Sequence, residues 1–217
     1  MSDKYELTDI SVEFMGRTLF QIKAIKSFSV VGKGELGGFI ENTDCLDQAG
    51  NAWVSGNAWV SGNAWVSGNA CVAGNAWVSG NARVYGNARV YGNACVAGNA
   101  CVSGNAWVSG NARVYGNACV AGNACVAGNA WVSGNAWVSG NADYIQISPI
   151  GSENGVLTAF KTKKGIYCSR GCFYGSLKDF KKEVKERHAD SEHGKAYKAA
   201  IKMIQARKLK GKCHGYR

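Results

Sequence analysis

Three arginines in this chain stand two positions from a tyrosine: Arg83 with Tyr85, Arg89 with Tyr91, and Arg113 with Tyr115. A guanidinium beside a ring can stack on it, worth roughly 0.5–1 kcal/mol when exposed. Three such pairs suit a flat anionic ligand such as a nucleotide, gripped by charge and by ring faces. A second set of cations lies in the tail: Lys163, Lys164, Arg170, Lys178, Lys182, Lys185, Lys198, Lys202, Arg207 and Lys208. These are the residues expected to meet an anionic ligand or nucleic acid. Residues 141–217 hold seventeen basic and seven acidic side chains, and the run Lys208-Leu209-Lys210-Gly211-Lys212 contains no acid. The plainer reading is a solvated helix face, because Asp179, Glu183, Glu186 and Glu192 are interspersed.

Other reactive groups are less organised. Cys168 and Cys172, with His188, His193, Cys213 and His214, invite a zinc reading. Their spacing is not that of a CxxC knuckle, so core cysteines and surface histidines are the simpler account. No metal and no cofactor is expected. The nine cysteines follow a start with no basic-then-apolar signal segment, which points to free thiols in a reducing, cytoplasmic setting. No run of eighteen apolar residues exists, so no membrane span is expected.

The Arg-Tyr pairs belong to a larger order. From Asn51 through Gly140 the phrase Asn-Ala-x-Val-x-Gly recurs fifteen times without a slip. Ala and Val stand two apart, so in extended chain they share one face, and the two variable positions share the other. Gly and Asn favour a bend after each short strand. A helix fails, since Gly and Asn every six residues would break it. One hexad cannot bury its Val, but three can close a triangle, and fifteen make five coils about 4.8 Å apart. Burying one Val contributes on the order of 1.5 kcal/mol.

Val54-Ser55-Gly56-Asn57-Ala58-Trp59 resembles the hexapeptide repeat of left-handed parallel β-helices. The left hand is what the resemblance implies; the general preference for right-handed crossovers would suggest the opposite. Many such proteins are acyltransferases, with a catalytic His, a loop breaking the coil and a cleft for an acyl carrier. Here no His precedes His188 and no loop interrupts the hexads, so the general base is missing from the solenoid and an enzyme is not expected. Gly16-Arg17-Thr18-Leu19-Phe20, then Gly34-Glu35-Leu36-Gly37-Gly38-Phe39-Ile40-Glu41, then hexads, resembles hexapeptide-repeat proteins of bacteriophages and prophages. That likeness implies a setting in a bacterial host and no activity.

Sorting the position before Val by eighteens gives three outward columns. The first is Trp53, Cys71, Arg89, Trp107 and Cys125; the second is Trp59, Trp77, Cys95, Arg113 and Trp131; the third is Trp65, Arg83, Cys101, Cys119 and Trp137. All seven tryptophans therefore point outward on this reading, either as an interface or as a surface covered by the chain ends. Cys101 and Cys119 become vertical neighbours, a spacing that permits a disulfide under oxidation. Copying of whole hexads explains the tie between Arg and Tyr without any ligand.

Residues 1–50 read as an N-terminal β cap: a hairpin about Met15-Gly16-Arg17 and a glycine-rich loop over 32–41 that covers the first coil. Residues 51–142 are the solenoid, and 143–217 a basic α+β domain. In the last, Tyr144–Ser148 is a strand, and Val156–Thr162 with Ile166–Cys168 is a hairpin about Lys163-Lys164-Gly165. One helix is capped by Ser176 and buries Leu177, Phe180 and Val184; a second from Lys195 buries Tyr197, Ile201 and Ile204. The fold class expected is mainly β: a triangular β-helix with a β cap and a small α+β domain. The function expected is a non-enzymatic phage-type binding protein for a macromolecule or anionic ligand, a host protein among the partners, as a homo-oligomer. A self-assembling structural solenoid is the alternative and acyl transfer a distant third.

Overall fold

The computed structural model describes residues 3–207 and Leu209. The hexads form fifteen two-residue rungs, from β4 (Trp53–Val54) to β18 (Trp137–Val138). Rungs eighteen residues apart pair in parallel, as Cys101 with Cys119 and Val102 with Val120. Three parallel sheets of such rungs make a three-sided solenoid. Every repeat valine is fully buried, and the repeat alanines are at most 1% exposed. The axis is thus a dry column of Val with Ala at the corners, as the spacing predicts.

The corner works differently from the expectation. The repeat glycines from Gly50 to Gly134 take positive φ, while no repeat asparagine does. The asparagines instead form ladders down the three edges. Asn63 Nδ2 donates to Asn81 Oδ1 at 3.0 Å, Asn81 to Asn99 at 2.9 Å, and Asn99 to Asn117 at 3.0 Å. Each amide acts as donor to one coil and acceptor to another, which no side chain of one hydrogen-bonding sense can do.

At the N-terminal end, β1 (Tyr5–Phe14) and β2 (Arg17–Ala24) form the expected antiparallel hairpin. The glycine-rich stretch is not a loop: Leu36–Ile40 is strand β3, antiparallel to β2 and parallel to the rung Trp59–Val60. Gly37 and Gly38 allow this, because side chains there would strike Val54 and Ala58. Leu46 bridges to Val66, so residues 38–50 make a partial extra coil. Buried Lys4 completes the cap, its Nζ donating to the Ala52 carbonyl at 2.8 Å.

At the other end, β19 (Tyr144–Ile150), β20 (Gly155–Thr162), β21 (Gly165–Arg170) and β22 (Phe173–Ser176) form an antiparallel sheet in chain order. Phe160 of β20 is fully buried in the solenoid's own core and plugs its axis. Strand β22 escapes sequence reasoning because it is four residues long with a glycine inside. Helix α1 (Leu177–His188) starts where expected, the Ser176 hydroxyl accepting from the Asp179 amide at 3.1 Å. Helix α2 (Glu192–Arg207) starts three residues before Lys195, where the Ser191 hydroxyl accepts from the Gly194 amide. Phe180, Val184, Tyr197, Ile201 and Ile204 are buried against Leu157, Ala159 and Cys168; Leu177 is half-buried.

Burial pushes the Cys168 thiol up to about 12 from 9.0. The folded domain holds that proton while the unfolded chain releases it, so stability is full below about pH 9 and falls as pH rises to about 12. The ceiling is about 4 kcal/mol, from three units at 1.36 kcal/mol each. Cys168→Ala is expected to flatten the alkaline slope of unfolding free energy, measured by urea titration at pH 9, 10 and 11. An unchanged slope would show that the thiol is hydrated.

Candidate functional site: a notch where the last coil meets the tail domain

The antiparallel bridge between Ala136 and Thr162 lays the β20–β21 hairpin across the last coil. Its turn is rigid: the Lys164 amide donates to Thr162 Oγ1 at 3.1 Å, and that hydroxyl donates to the Gly165 carbonyl at 2.9 Å. Lys163 and Lys164 are thereby held exposed at the tip. Tyr174 of β22 anchors the other side, its hydroxyl donating to the Ser133 carbonyl at 3.3 Å. It reaches the coil only because position 134 is glycine; a Cβ there would overlap the Tyr174 hydroxyl. Burial raises the pKa of Tyr174 above the ordinary phenol value. Its ring lies 5.7 Å from Tyr167 and 6.2 Å from Phe160.

The hollow so framed holds about 550 Å³ and is lined by Asn117, Cys119, Asn135, Trp137, Thr162, Lys163, Lys164, Tyr167 and Tyr174, with Gly134 and Ala136. Among the described residues no carboxylate lines it. Trp137 is half-buried and lines the hollow. Two cations, three rings and two amides can hold a flat anion through charge, stacking and edge hydrogen bonds. Of the residues singled out by sequence, Cys119, Lys163, Lys164 and Trp137 meet here. Tyr167, Tyr174, Thr162 and the two asparagines were missed; only the partner strand and the docking of β22 bring them in.

The Arg-Tyr pairs divide. Arg89 lies over the Trp107 ring, 5.9 Å from its centroid, and Arg113 over Trp131 at 6.0 Å. Tyr91 and Tyr115 meet the same two tryptophans edge-on. Stacking therefore runs to the tryptophan one coil on, not to the tyrosine of the same hexad. Arg83 instead has Cys101 one coil on and Trp65 one coil back. Trp65, Arg83, Tyr85 and Cys101 line a second, more open hollow of about 690 Å³.

The tryptophans correct the outward reading in part. Trp53 is buried in the core cluster beneath Tyr5 and Phe28, with ring distances of 6.4 and 5.4 Å. Phe14 of the N-terminal hairpin covers Trp59 and Trp77, at 4.5 and 5.1 Å. Only Trp65, Trp107 and Trp131 stay open, 40%, 45% and 39% exposed, one on each face. The N-terminal cap covers Trp53, Trp59 and Trp77 and leaves Trp65 of the first coil open, because Phe28 and Phe14 lie against the first and second faces.

The tail cations also separate. Lys185, Lys198 and Lys202, joined by Lys181, flank a groove between α1 and α2 floored by Val184 and Ile201. Lys198 pairs with Asp190 at 2.7 Å, and Lys182 with Glu186 at 3.8 Å. Lys178 is exposed on α1. Arg170 is spent on structure, donating to the Ile150 carbonyl at 2.9 Å, and Arg207 donates to the Asn141 carbonyl at 3.2 Å. Lys208, Lys210, Lys212, Cys213 and His214 lie outside the described residues. Among the described residues no three His, Cys, Asp or Glu side chains gather as a metal-ligand set. Cys101 and Cys119 face each other in register, and the hydrogen bond between them lowers the Cys101 pKa and raises that of Cys119.

A family model described as YdcK beta solenoid repeat matches residues 52–68, 76–92, 82–98, 88–104 and 106–122. Those stretches lie within the hexads, and together with the three stacked sheets they support a repeat β-solenoid protein. No curated protein matches the chain. Among the described residues no helix is long and apolar enough to cross a membrane.

Proposed function

We propose that this β-solenoid protein is a non-enzymatic binding module whose junction notch takes an anionic ligand with a flat ring, of the nucleotide class. One observation carries the reading: Lys163 and Lys164 stand beside Trp137, Tyr167 and Tyr174 in a hollow that no acid lines among the described residues. The solenoid supplies rigidity and the tail domain supplies charge, with the lysine groove between α1 and α2 adding to the field that draws an anion in. Chemistry on the ligand has little to work with, because no imidazole occurs before His188. In the phage setting that the N-terminal resemblance implies, holding a host nucleotide would serve to counter host defence. Self-assembly through tryptophan is the weaker reading, since the three open rings point in three directions and two lie under arginines.

The test is titration of the full chain with ATP and with dTMP, followed by tryptophan fluorescence at two salt concentrations. Saturable quenching that weakens with salt is expected. The double variant Lys163→Glu with Lys164→Glu is expected to bind at least tenfold more weakly with an unchanged melting temperature. Absent or salt-insensitive binding by the wild-type chain removes the proposal.

A further inference from the structure

We infer that the notch is one end of a longer track, and that the third face of the solenoid binds single-stranded nucleic acid along its length. This rests on the notch reading and extends it. The hollow around Trp65 and Arg83 reaches Cys101, and the notch begins at Cys119. Cys101 and Cys119 are direct partners on adjacent rungs, so the two hollows abut. One line therefore runs Trp65, Arg83, Cys101, Cys119, Trp137, with the small thiols forming a saddle between two large rings.

This face differs from the other two. On the first, Trp53 is buried under Tyr5 and Phe28, and Arg89 is taken up by Trp107. On the second, the N-terminal hairpin covers Trp59 and Trp77, and Arg113 is taken up by Trp131. On the third, Trp65 is open and Arg83 is exposed above a cysteine. The solenoid contains no acidic residue between Asn51 and Gly140, so the rungs of the track carry no carboxylate of their own; Asp44 and Asp47 stand on the partial coil stacked on the Trp65 rung and mark the end of the track. Asn81, Asn99, Asn117 and Asn135 run beside both hollows, their ladder offering amide edges at every coil.

Four coil steps from Trp65 to Trp137 span about 19 Å at 4.8 Å each. That length holds roughly four to six nucleotides, counting about 3.4 Å each when stacked and more when extended. Rings with cations between them along a groove are the pattern that binds single strands without reading sequence: bases stack, phosphates meet charge. A double helix is too wide for its bases to reach the rings.

The repeat supplies its own test. Deleting one hexad, residues 105–110, turns everything after it by a third of a turn, so Trp65 and Arg83 no longer share a face with Trp137. Deleting three hexads, residues 105–122, restores the phase and shortens the track by one coil. The six-residue deletion leaves every lining residue of the notch in place; in the eighteen-residue one Asn99 and Cys101 take the places of Asn117 and Cys119 with the same side chains. Fluorescence anisotropy would be read with labelled dT12 and competing dTMP, in full-length wild type and both deletions, after circular dichroism has confirmed their β content. The expected result is that dT12 binds at least tenfold more weakly to the six-residue deletion but within threefold of wild type to the eighteen-residue one, while dTMP affinity changes in neither. Equal dT12 affinity in all three overturns the track and leaves the notch standing; loss of dTMP binding throughout overturns the notch. A poly-glutamate peptide that binds as tightly as dT12 also overturns the inference, in favour of an acidic protein partner. Should the six-residue deletion not fold, Arg83→Ala and Trp65→Ala decide, with Arg89→Ala as control. Both are expected to weaken dT12 about tenfold without touching dTMP, and no loss overturns the track.

Discussion

Val102→Asp is expected to abolish the folded solenoid. Val102 sits on the middle rung of the third face, fully buried between Val84 and Val120. The axis around it holds only valine and alanine side chains, so a carboxylate placed there finds neither donor nor counter-ion. An unpaired buried charge costs several kcal/mol even after relaxation, and the group would rather take a proton than ionise. The neutral acid still leaves polar oxygens with no partner, roughly 1–3 kcal/mol more than an apolar residue. Position matters as much as chemistry. A solenoid is held by neighbour-to-neighbour stacking, so a failed middle coil leaves at most two coils on either side. We expect a total loss above about 5 kcal/mol, against roughly 2–3 kcal/mol for Val102→Ala, which removes methyls without adding polarity. Urea unfolding read by circular dichroism measures both. A folded aspartate variant less than about 2 kcal/mol weaker than wild type would show that water reaches the axis.

The reason this forecast is sharp also explains what was legible beforehand. A period of six with Val always in one place leaves one way to bury Val, so the five repeat coils and their rung pairing could be read from spacing; the partial coil ahead of them and the burial of Trp53 could not, because the chain before Asn51 carries no repeat. The hairpin about Met15 and the Ser176 cap were legible too, because turn and cap chemistry are local. The asparagine ladder was not, since its partner lies eighteen residues away and Asn reads first as a bend former. Strand β3 was hidden because Gly37 and Gly38 look like a loop until the backbone they press on is known. The notch was half visible. Lys163 and Lys164 stood out as charges and Trp137 as a ring, but what joins them is the docking of the tail hairpin on Ala136, a long-range contact with no periodic signature. The same limit misassigned Arg89 and Arg113 to their own tyrosines, when the nearest wide ring is one coil further on.

Gly38→Val is expected to remove the N-terminal cap and turn the protein into a dimer. A Cβ on residue 38 would lie 2.6 Å from the Ala58 carbonyl oxygen and 2.9 Å from Val54 Cγ1, and the first of these is backbone that cannot rotate away. Strand β3 must then lift off the first coil, breaking the bonds from the Phe39 amide to the Ala58 carbonyl at 2.9 Å and from the Glu41 amide to the Val60 carbonyl at 3.0 Å. Each lost bond and the apolar surface of Ile22, Ile40 and Leu46 add up to about 3 kcal/mol or more. What remains is an open sheet end, a row of backbone donors and acceptors with valine behind it, which is a template for pairing with another chain. The opposite end stays closed, because Phe160 still plugs the axis and Thr162 still bridges to Ala136. With only one open end per molecule, chains can meet head to head and then have nothing further to offer, so the interface is isologous and closes at two. Light scattering across a hundredfold concentration range should therefore give a species of twice the wild-type mass that falls back to the wild-type mass on dilution. Growth into long polymers would mean that the tail domain leaves its end of the solenoid as well, and the rigid junction that frames the notch would not exist.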